Sequence, residues 1–546
     1  MSTDTKNTRK PLRLWPGVLA AALIVLAKLV APLVVADGAV YGIMGALAGS
    51  VVIVVWWVLF SRAPWSERLG ALALMIVATV ATKFVVHPSI ADGLMGRMVF
   101  VYAVPSTLGV AFVAWAVASR RLTGGLRWVT MAAAILAGCG VWALARTGGV
   151  SGDTEVDLHW RWTPTPEERL LAQEGDKPEP GPADAAAAPP PDKPVAVGPE
   201  KPLAAAADRP TEKAADAPAA SGTDPTGVRA AVWPGFRGPE RDGVVRGVRI
   251  ETDWSGKPPV ELWRRPIGPG WSSFAVSGDL IYTQEQRGEE EVVSCYRLST
   301  GAPVWRHRDG VRFYESNGGA GPRATPTLSN GRVYTLGATG ILNALDARTG
   351  AVAWSRNAAT DTGAPLPGWG YAGSPLVVHD AVIASTSGRL GSYDIATGRP
   401  RWTHTTGGGG YSSPHLVTID GVAQIVLLTG NGATSVAPAD GTRLWQHVWD
   451  VGVAIVQPGL AGERDILIGL GDAMGGQGLR RLAIARGPAG WTVEERWTTR
   501  GLKPYFNDFV VHQGHAFGFD GTILASVNLA NGERAWKGGR YGAGQL

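Results

Sequence analysis

The stretch ALDARTGAVAW, running from Ala344 to Trp354, is copied along the C-terminal half of this chain, and a copied corner restricts the fold to an array of like units. Asp346, Gly350 and Trp354 set the pattern A-x-D-x-x-x-G-x-x-x-W. An Asp accepts hydrogen bonds from the N–H groups of the turn that follows it, and a Gly supplies the left-handed backbone that closes the turn. The Trp then falls in the outgoing strand, where a ring of roughly 150–250 Å² needs a second sheet to bury it. Further copies end at Trp305 (CYRLSTGAPVW), Trp402 (SYDIATGRPRW), Trp445 (SVAPADGTRLW) and Trp536 (SVNLANGERAW). Trp497 carries a degenerate copy and Trp263, in VELWRRP, an earlier one. Their spacing, roughly 40 to 52 residues, is that of a repeat array. Within one period TPTLS, RVYTLGA, ILNALDA and AVAWSRN read as strands between Gly-containing turns, and four strands per period make a propeller blade.

The array occupies residues 232–546, and the chain ahead of it is of a different kind. A hydrophobic content of 45% would suit an ordinary soluble protein, but here it averages a very apolar N-terminal block with an almost coreless middle. Five apolar runs, at 15–36, 39–60, 69–86, 98–118 and 126–145, are each long enough to span a bilayer. Five are an integral domain, not a cleaved signal. Lys6, Arg9, Lys10 and Arg13 precede the first run; Arg62 and Arg68 follow the second; Arg120, Arg121 and Arg127 follow the fourth. The alternate connections hold Asp37, then Asp92 and Arg97, then Asp153, Glu155 and Asp157. Positive residues stay inside, so residues 1–14 are expected in the cytoplasm, 15–147 in a bacterial inner membrane as a multi-pass domain, and everything later in the periplasm. Lys28 and Lys83 lie within runs; snorkelling or helix packing is the expected role, with contact to a lipid or quinone head group as the alternative. Pro32 and Pro105 are expected to kink their helices.

Residues 148–231 are dominated by Pro, Ala, Asp and Lys, with too few apolar residues to form a core. They read as a disordered linker that would let the propeller move as a tethered module, with a flexible span of about 45 Å. EERLLAQEG at its head has the pattern of a short helix. Cys139 falls in the fifth span and Cys295 on a strand, so they form no disulfide framework. The net charge of +5 is scattered, without the basic stripe of a nucleic-acid binder.

WPGFRGP at 233–239, followed by the D-x-x-x-G-x-x-x-W corners, resembles the PQQ-binding-like β-propeller repeat family of the quinoprotein alcohol dehydrogenase-like superfamily. That superfamily includes pyrroloquinoline quinone (PQQ) dehydrogenases and the lipoprotein propeller of the outer-membrane β-barrel assembly machine. The fold class expected is therefore a five-helix transmembrane domain plus an all-β propeller of four-stranded blades. Six full periods are present and a seventh or eighth is incomplete, since the sequence stops where the next inner strand should begin. Relatives have seven or eight blades, so a gap or splayed seam is expected between the first and last blades here.

A second register locates a ligand surface. The next inner strand follows Trp263, Trp402 and Trp497 by eight or nine residues, with landmarks at Trp271, Tyr411 and Tyr505. After Trp305 and Trp354 it arrives about eight residues late, so FYESNGGAGPR and TGAPLPGWGY are enlarged crossings. Such crossings meet at the channel mouth, which would gather Trp271, Tyr314, Glu315, Asn317, Arg323, Trp369, Tyr371, Tyr411, Tyr505, Asn507 and Asp508 as cofactor-binding or ligand-binding candidates. The alternative is that these aromatics pack against the next blade. The resemblance implies that a dehydrogenase would hold PQQ with calcium bound by a Glu, an Asn and sometimes an Asp, which Glu315, Asn317, Asn507 and Asp508 would have to supply. Their spacing matches no calcium loop, and the adjacent Cys pair that stacks PQQ in many relatives is missing from the sequence. No catalytic residue and no metal site is expected. His512 and His515 read as two imidazoles in a turn, with a metal site as the alternative.

The favoured function is a membrane-anchored extracytoplasmic binding or scaffold module in envelope assembly, whose partners are the lipid bilayer and a protein or small molecule at the mouth. The alternative is a PQQ-dependent dehydrogenase passing electrons to membrane quinone, since five spans ahead of an external propeller are similar to the layout of membrane-bound glucose dehydrogenase.

Overall fold

The computed structural model describes residues 12–34, 38–122, 124–150, 156–173, 232–472, 475–542 and 544–546. Lys6, Arg9, Lys10, Asp37, Asp153, Glu155 and the stretch 174–231, with most of the expected linker, lie outside them.

Five helices are long and apolar enough to cross a membrane: Trp15–Val34, Gly38–Phe60, Trp65–Val85, Val99–Arg121 and Gly124–Leu144. They fall within a few residues of the runs read from hydropathy. Small residues bring the first two together, with Gly42, Gly45 and Gly49 lying against Ala27 and Ile24. Lys28 is held internally. Its ammonium donates to the Tyr102 carbonyl at 3.0 Å and the Ser106 hydroxyl at 3.2 Å, and lies 3.9 Å from the centre of the Tyr102 ring. Pro105 follows a π-helical turn at Val99–Ala103, the distortion expected of a proline without an N–H to donate.

The range expected to be linker is ordered at its head. Strands Ala145–Val150 and Val156–Trp160 form a hairpin, and Pro166–Leu171 forms a short helix. Thr165 and Glu168 close a capping box at its start. Leu170 is buried, and the Trp160 and Trp162 rings stack at 5.4 Å, so this piece has the apolar residues to fold locally.

Among the described residues the array forms six four-stranded antiparallel sheets, at 275–309, 327–357, 376–405, 415–448, 459–499 and 509–540, each pairing its strands in chain order. These are blades 1 to 6. Tight turns with two left-handed residues, Asn330–Gly331, Asp420–Gly421 and Gln513–Gly514, join inner to second strands. His512 and His515 flank the last of these and face each other across it.

The repeated corner has the geometry its residues imply. One oxygen of Asp346 accepts the N–H groups of Arg348 at 3.0 Å and Thr349 at 2.9 Å, and Gly350 closes the turn at φ +73°. Asp394 and Gly398 repeat this with Ala396 and Thr397. The glycine has a second reason to be there: a Cβ on Gly398 would come within 2.6 Å of the Trp354 ring, and one on Gly350 within 2.5 Å of Trp305. Each Trp is thus a peg from one blade into the next blade's corner, where its indole N–H reaches a backbone carbonyl. Trp305 bonds Ala347 at 3.0 Å, Trp354 bonds Ile395 at 3.0 Å, Trp402 bonds Pro438 at 3.0 Å and Trp497 bonds Leu529 at 2.8 Å. Trp445 departs from the series, donating to the Gln424 side chain at 2.6 Å, because the corner of blade 5 is degenerate. Removing one such ring costs about 3–5 kcal/mol.

Nearer the axis, hydroxyls staple blade to blade. The N–H of Ser273 reaches Thr325 Oγ1 at 3.2 Å, that of Thr325 reaches Ser374 Oγ at 2.9 Å, and that of Ser374 reaches Ser413 Oγ at 2.9 Å. Among the described residues no sheet joins blade 6 to blade 1. Trp536 of blade 6 is 43% exposed, while Trp305, Trp354 and Trp445 are buried. Trp263 lies on Gly301 of blade 1 and bonds the Leu298 carbonyl at 2.7 Å, as a preceding blade's peg would, although residues 260–265 form no strand.

Candidate functional site: the propeller mouth

The enlarged crossing after blade 1 defines the mouth, and its charges are spent on holding itself. Tyr314–Glu315 pairs with Gly319–Ala320 as a minimal hairpin. Glu315 accepts the N–H groups of Asn317 (2.8 Å) and Gly318, and lies 3.5 Å from Arg323. Arg323 donates to the carbonyls of Gly319 at 2.8 Å, Ala320 at 3.2 Å, Gly321 at 2.8 Å and Trp369 at 3.3 Å, so it ties the first enlarged crossing to the second. Both side chains are mostly buried by these contacts.

Asn317 turns away from the channel. Its side-chain oxygen accepts the N–H of Leu94 at 2.8 Å and its carbonyl accepts that of Val150 at 3.1 Å, both in the membrane domain's connections. Close by, Arg312 grips Glu167 with two bonds of 2.9 Å, and Glu167 also accepts the Gly288 N–H at 2.8 Å. The expectation of a loosely tethered propeller is corrected here: the mouth side sits on the end of the helical bundle that carries residues 88–97 and 145–150. Sequence reasoning missed this because its partners lie well over a hundred residues apart. The one legible signal was the T-P-E-E start of the short helix.

Asn507, Asp508 and Tyr371 do not line an open mouth either. Tyr371 is 1% exposed, packs on Gly340 and donates its hydroxyl to the Ala364 carbonyl at 2.9 Å. Asn507 is buried and its side-chain oxygen takes the Tyr505 N–H at 3.1 Å. Asp508, left-handed at φ +56°, forms a buried ion pair with Arg237; burial pushes its carboxyl up, and Arg237 works against that.

Arg237 belongs to the WPGFRGP segment, and that segment lies across the propeller axis. Trp233 pairs with Val276 of blade 1, and the Pro234 carbonyl takes the Leu328 N–H of blade 2 at 2.7 Å. Arg241 donates to the carbonyls of Ser374 at 3.2 Å and Pro375 at 3.0 Å, leading into blade 3. His415 of blade 4 meets the Glu240 backbone, Gln457 before blade 5 donates to the Arg241 carbonyl, and Arg237 meets Asp508 and the Phe509 carbonyl at blade 6. One segment therefore touches the inner end of every described blade and floors the channel. Burial, with Arg241 and Arg237 adding to it, holds the His415 imidazole down at about 4, although the carbonyls of Pro458 and Glu240 favour its charged form.

What stays open to solvent is aromatic. Trp271 is 64% and Trp369 37% exposed, Tyr314 is exposed, and Tyr411 and Tyr505 are half-buried. Gly318 lies between the two indoles, with the Trp271 N–H on its carbonyl at 2.6 Å. The Tyr411 hydroxyl bonds the Trp369 backbone. Such a rim can bind flat or amphipathic groups by stacking and apolar contact.

The residues do not fit a calcium-held quinone. Glu315 is capped by backbone N–H groups, Asn317 faces the membrane domain, and Asn507 and Asp508 are engaged at blade 6, so the four donors do not converge. Among the described residues no group of three or more His, Cys, Asp or Glu side chains is placed to hold a metal.

Comparison with known proteins gives a mixed set of relatives. Residues 256–413 match the family described as outer membrane protein assembly factor BamB. The chain is 31% identical over 136 residues to a lanthanide-dependent methanol dehydrogenase of Methylacidiphilum fumariolicum, covering 23% of this chain and 20% of that protein. It is 30% identical over 175 residues to a tetrathionate hydrolase of Acidithiobacillus ferrooxidans, covering 28% and 32%. The chain thus spans a third or less of the length of these relatives. Among solved structures, BamB from Moraxella catarrhalis is similar at 15% identity and a TM-score of 0.34, covering 50% of this chain and 73% of that one. A europium-containing methanol dehydrogenase is similar at 13% identity and a TM-score of 0.31, covering 51% and 80%.

Proposed function

We propose that this chain, whose residues 256–413 match the family described as outer membrane protein assembly factor BamB, is a membrane-anchored extracytoplasmic binding module that scaffolds envelope assembly by capturing a partner at its aromatic mouth. The observation that carries this reading is the state of the mouth's ionisable groups. Glu315, Arg323 and Asp508 are all consumed by contacts within the chain. Trp271, Trp369, Tyr411 and Tyr505 remain, and these are residues that bind. The positive residues around the second and fourth helices support a cytoplasmic N-terminus and a periplasmic propeller. The relatives include an assembly factor as well as dehydrogenases; the donor geometry of this mouth favours the former.

A photo-reactive amino acid placed at Trp369 or Trp271 of the full chain in native membranes tests the reading. The expected result is one discrete adduct, lost when the other indole is changed to Ala. Adducts no different from those of a reactive residue at Arg540, on the outer strand of blade 6, would count against a binding mouth.

A further inference from the structure

The layer between blades 1 and 2 changes character along its length. Toward the corners it is apolar, with Tyr282, Val293, Cys295 and Trp305 against Val333, Leu345 and Ala347. Residues two apart on a strand share a face. Toward the mouth the same faces therefore carry Glu291, His307 and Asp309 from blade 1, and Thr335 and Asn343 from blade 2. Glu291 stands opposite Asp309 in register, and Thr335 opposite Asn343.

This end is a closed polar box. Glu291, Thr335 and Asn343 are at least 96% buried, being 4%, 1% and 1% exposed. The Asn343 amide donates to Asp309 Oδ2 at 2.7 Å and joins the two blades, and His307 lies 3.2 Å from the other Asp309 oxygen. Glu291 Oε1 accepts the Ala338 N–H at 3.1 Å. Three oxygens have no partner: Glu291 Oε2, Thr335 Oγ1 and Asn343 Oδ1. Glu291 Oε2 packs against Gly337, where a Cβ would clash with it. Two carboxylates set opposite each other on adjacent strands repel. Unpartnered buried oxygens beside two carboxylates call for an occupant.

We propose that this box binds one divalent cation of the calcium class, held by the carboxylates of Glu291 and Asp309, the amide oxygen of Asn343 and the hydroxyl of Thr335. Every donor is a hard oxygen, and two carboxylates balance a double charge. Amide and hydroxyl oxygens complete the set without a third acid. The donors stand on two rigid sheets, which suits calcium, tolerant of irregular coordination, better than magnesium, which demands a near-ideal octahedron. The strand Pro303–Asp309 leads straight into the crossing that shapes the mouth and meets the membrane domain. A cation here would fix the root of that crossing.

The test uses the full chain in detergent, stripped with a chelator, re-equilibrated with calcium, desalted and assayed for bound metal and for thermal unfolding of the propeller. The wild type is expected to retain about one calcium per chain and to gain roughly 5 °C in Tm at a hundredfold excess over Kd, with a smaller gain from magnesium. Glu291→Gln should abolish both responses. Thr335→Val keeps the side-chain shape and should weaken calcium binding about tenfold with the metal-free Tm unchanged, so it carries the test if Glu291→Gln does not fold. Wild type that retains no calcium, or a calcium response equal in wild type and Thr335→Val, would overturn the proposal and leave water as the occupant.

Discussion

Gly398→Ala is expected to destabilise the propeller for two separable reasons. The backbone there is left-handed at φ +69°, which costs an alanine about 1 kcal/mol. The new methyl would also lie 2.6 Å from the Trp354 ring, and forcing a buried ring aside adds about 2 kcal/mol. The sum, about 3 kcal/mol, is large for a one-carbon change on a corner. Trp354→Leu alone should cost about 3 kcal/mol through the lost packing and the lost bond to Ile395. In the Trp354→Leu background Gly398→Ala should then cost only its backbone share, about 1 kcal/mol, giving a coupling of about 2 kcal/mol between peg and corner. Urea-dependent proteolysis of the propeller in the detergent-solubilised full chain reads all four variants. Equal costs of Gly398→Ala in both backgrounds would refute the peg-and-corner account.

Acidification should weaken the channel floor through His415. Its folded value of about 4 lies below the ordinary 6.5, so the unfolded chain takes the proton first. Stability is full above about pH 6.5 and falls by up to about 3 kcal/mol as pH drops toward 4, a dependence that His415→Gln should flatten when Tm is followed against pH. Asp508→Asn keeps a residue that tolerates φ +56° but leaves Arg237 buried and unpaired, so a loss of about 3 kcal/mol is expected in the same proteolysis assay. Glu167→Ala removes the grip on Arg312 and Gly288 at a partly exposed contact, worth about 1 kcal/mol. It should speed hydrogen exchange at the Gly288 amide and in residues 310–322 without changing the Tm of the blades.

The parts legible in the sequence were those written in local spacing. Asp346, Gly350 and Trp354 sit within one hairpin, so their pattern specified corner, blade and period together, and hydropathy alone set the five spans. The register that placed Trp271 and Trp369 at the mouth also rested on spacing. What escaped was whatever depended on which distant residue faced which. Arg323 and Glu315 looked like ligand groups because their backbone partners are invisible to composition. WPGFRGP was legible as a signature but not as a floor, since that role exists only where six inner strands converge. The polar box between blades 1 and 2 hides in strand alternation: Glu291 and Asp309 are unremarkable apart and meaningful only in register.

The central claim, that the mouth binds a partner and does not hold a redox quinone, is tested most directly by titrating the purified full chain with PQQ and calcium while following quinone absorbance and dye reduction. The account predicts no stoichiometric quinone retained after desalting and no alcohol- or sugar-dependent dye reduction. Retention of about one PQQ per chain together with substrate-dependent dye reduction would contradict it.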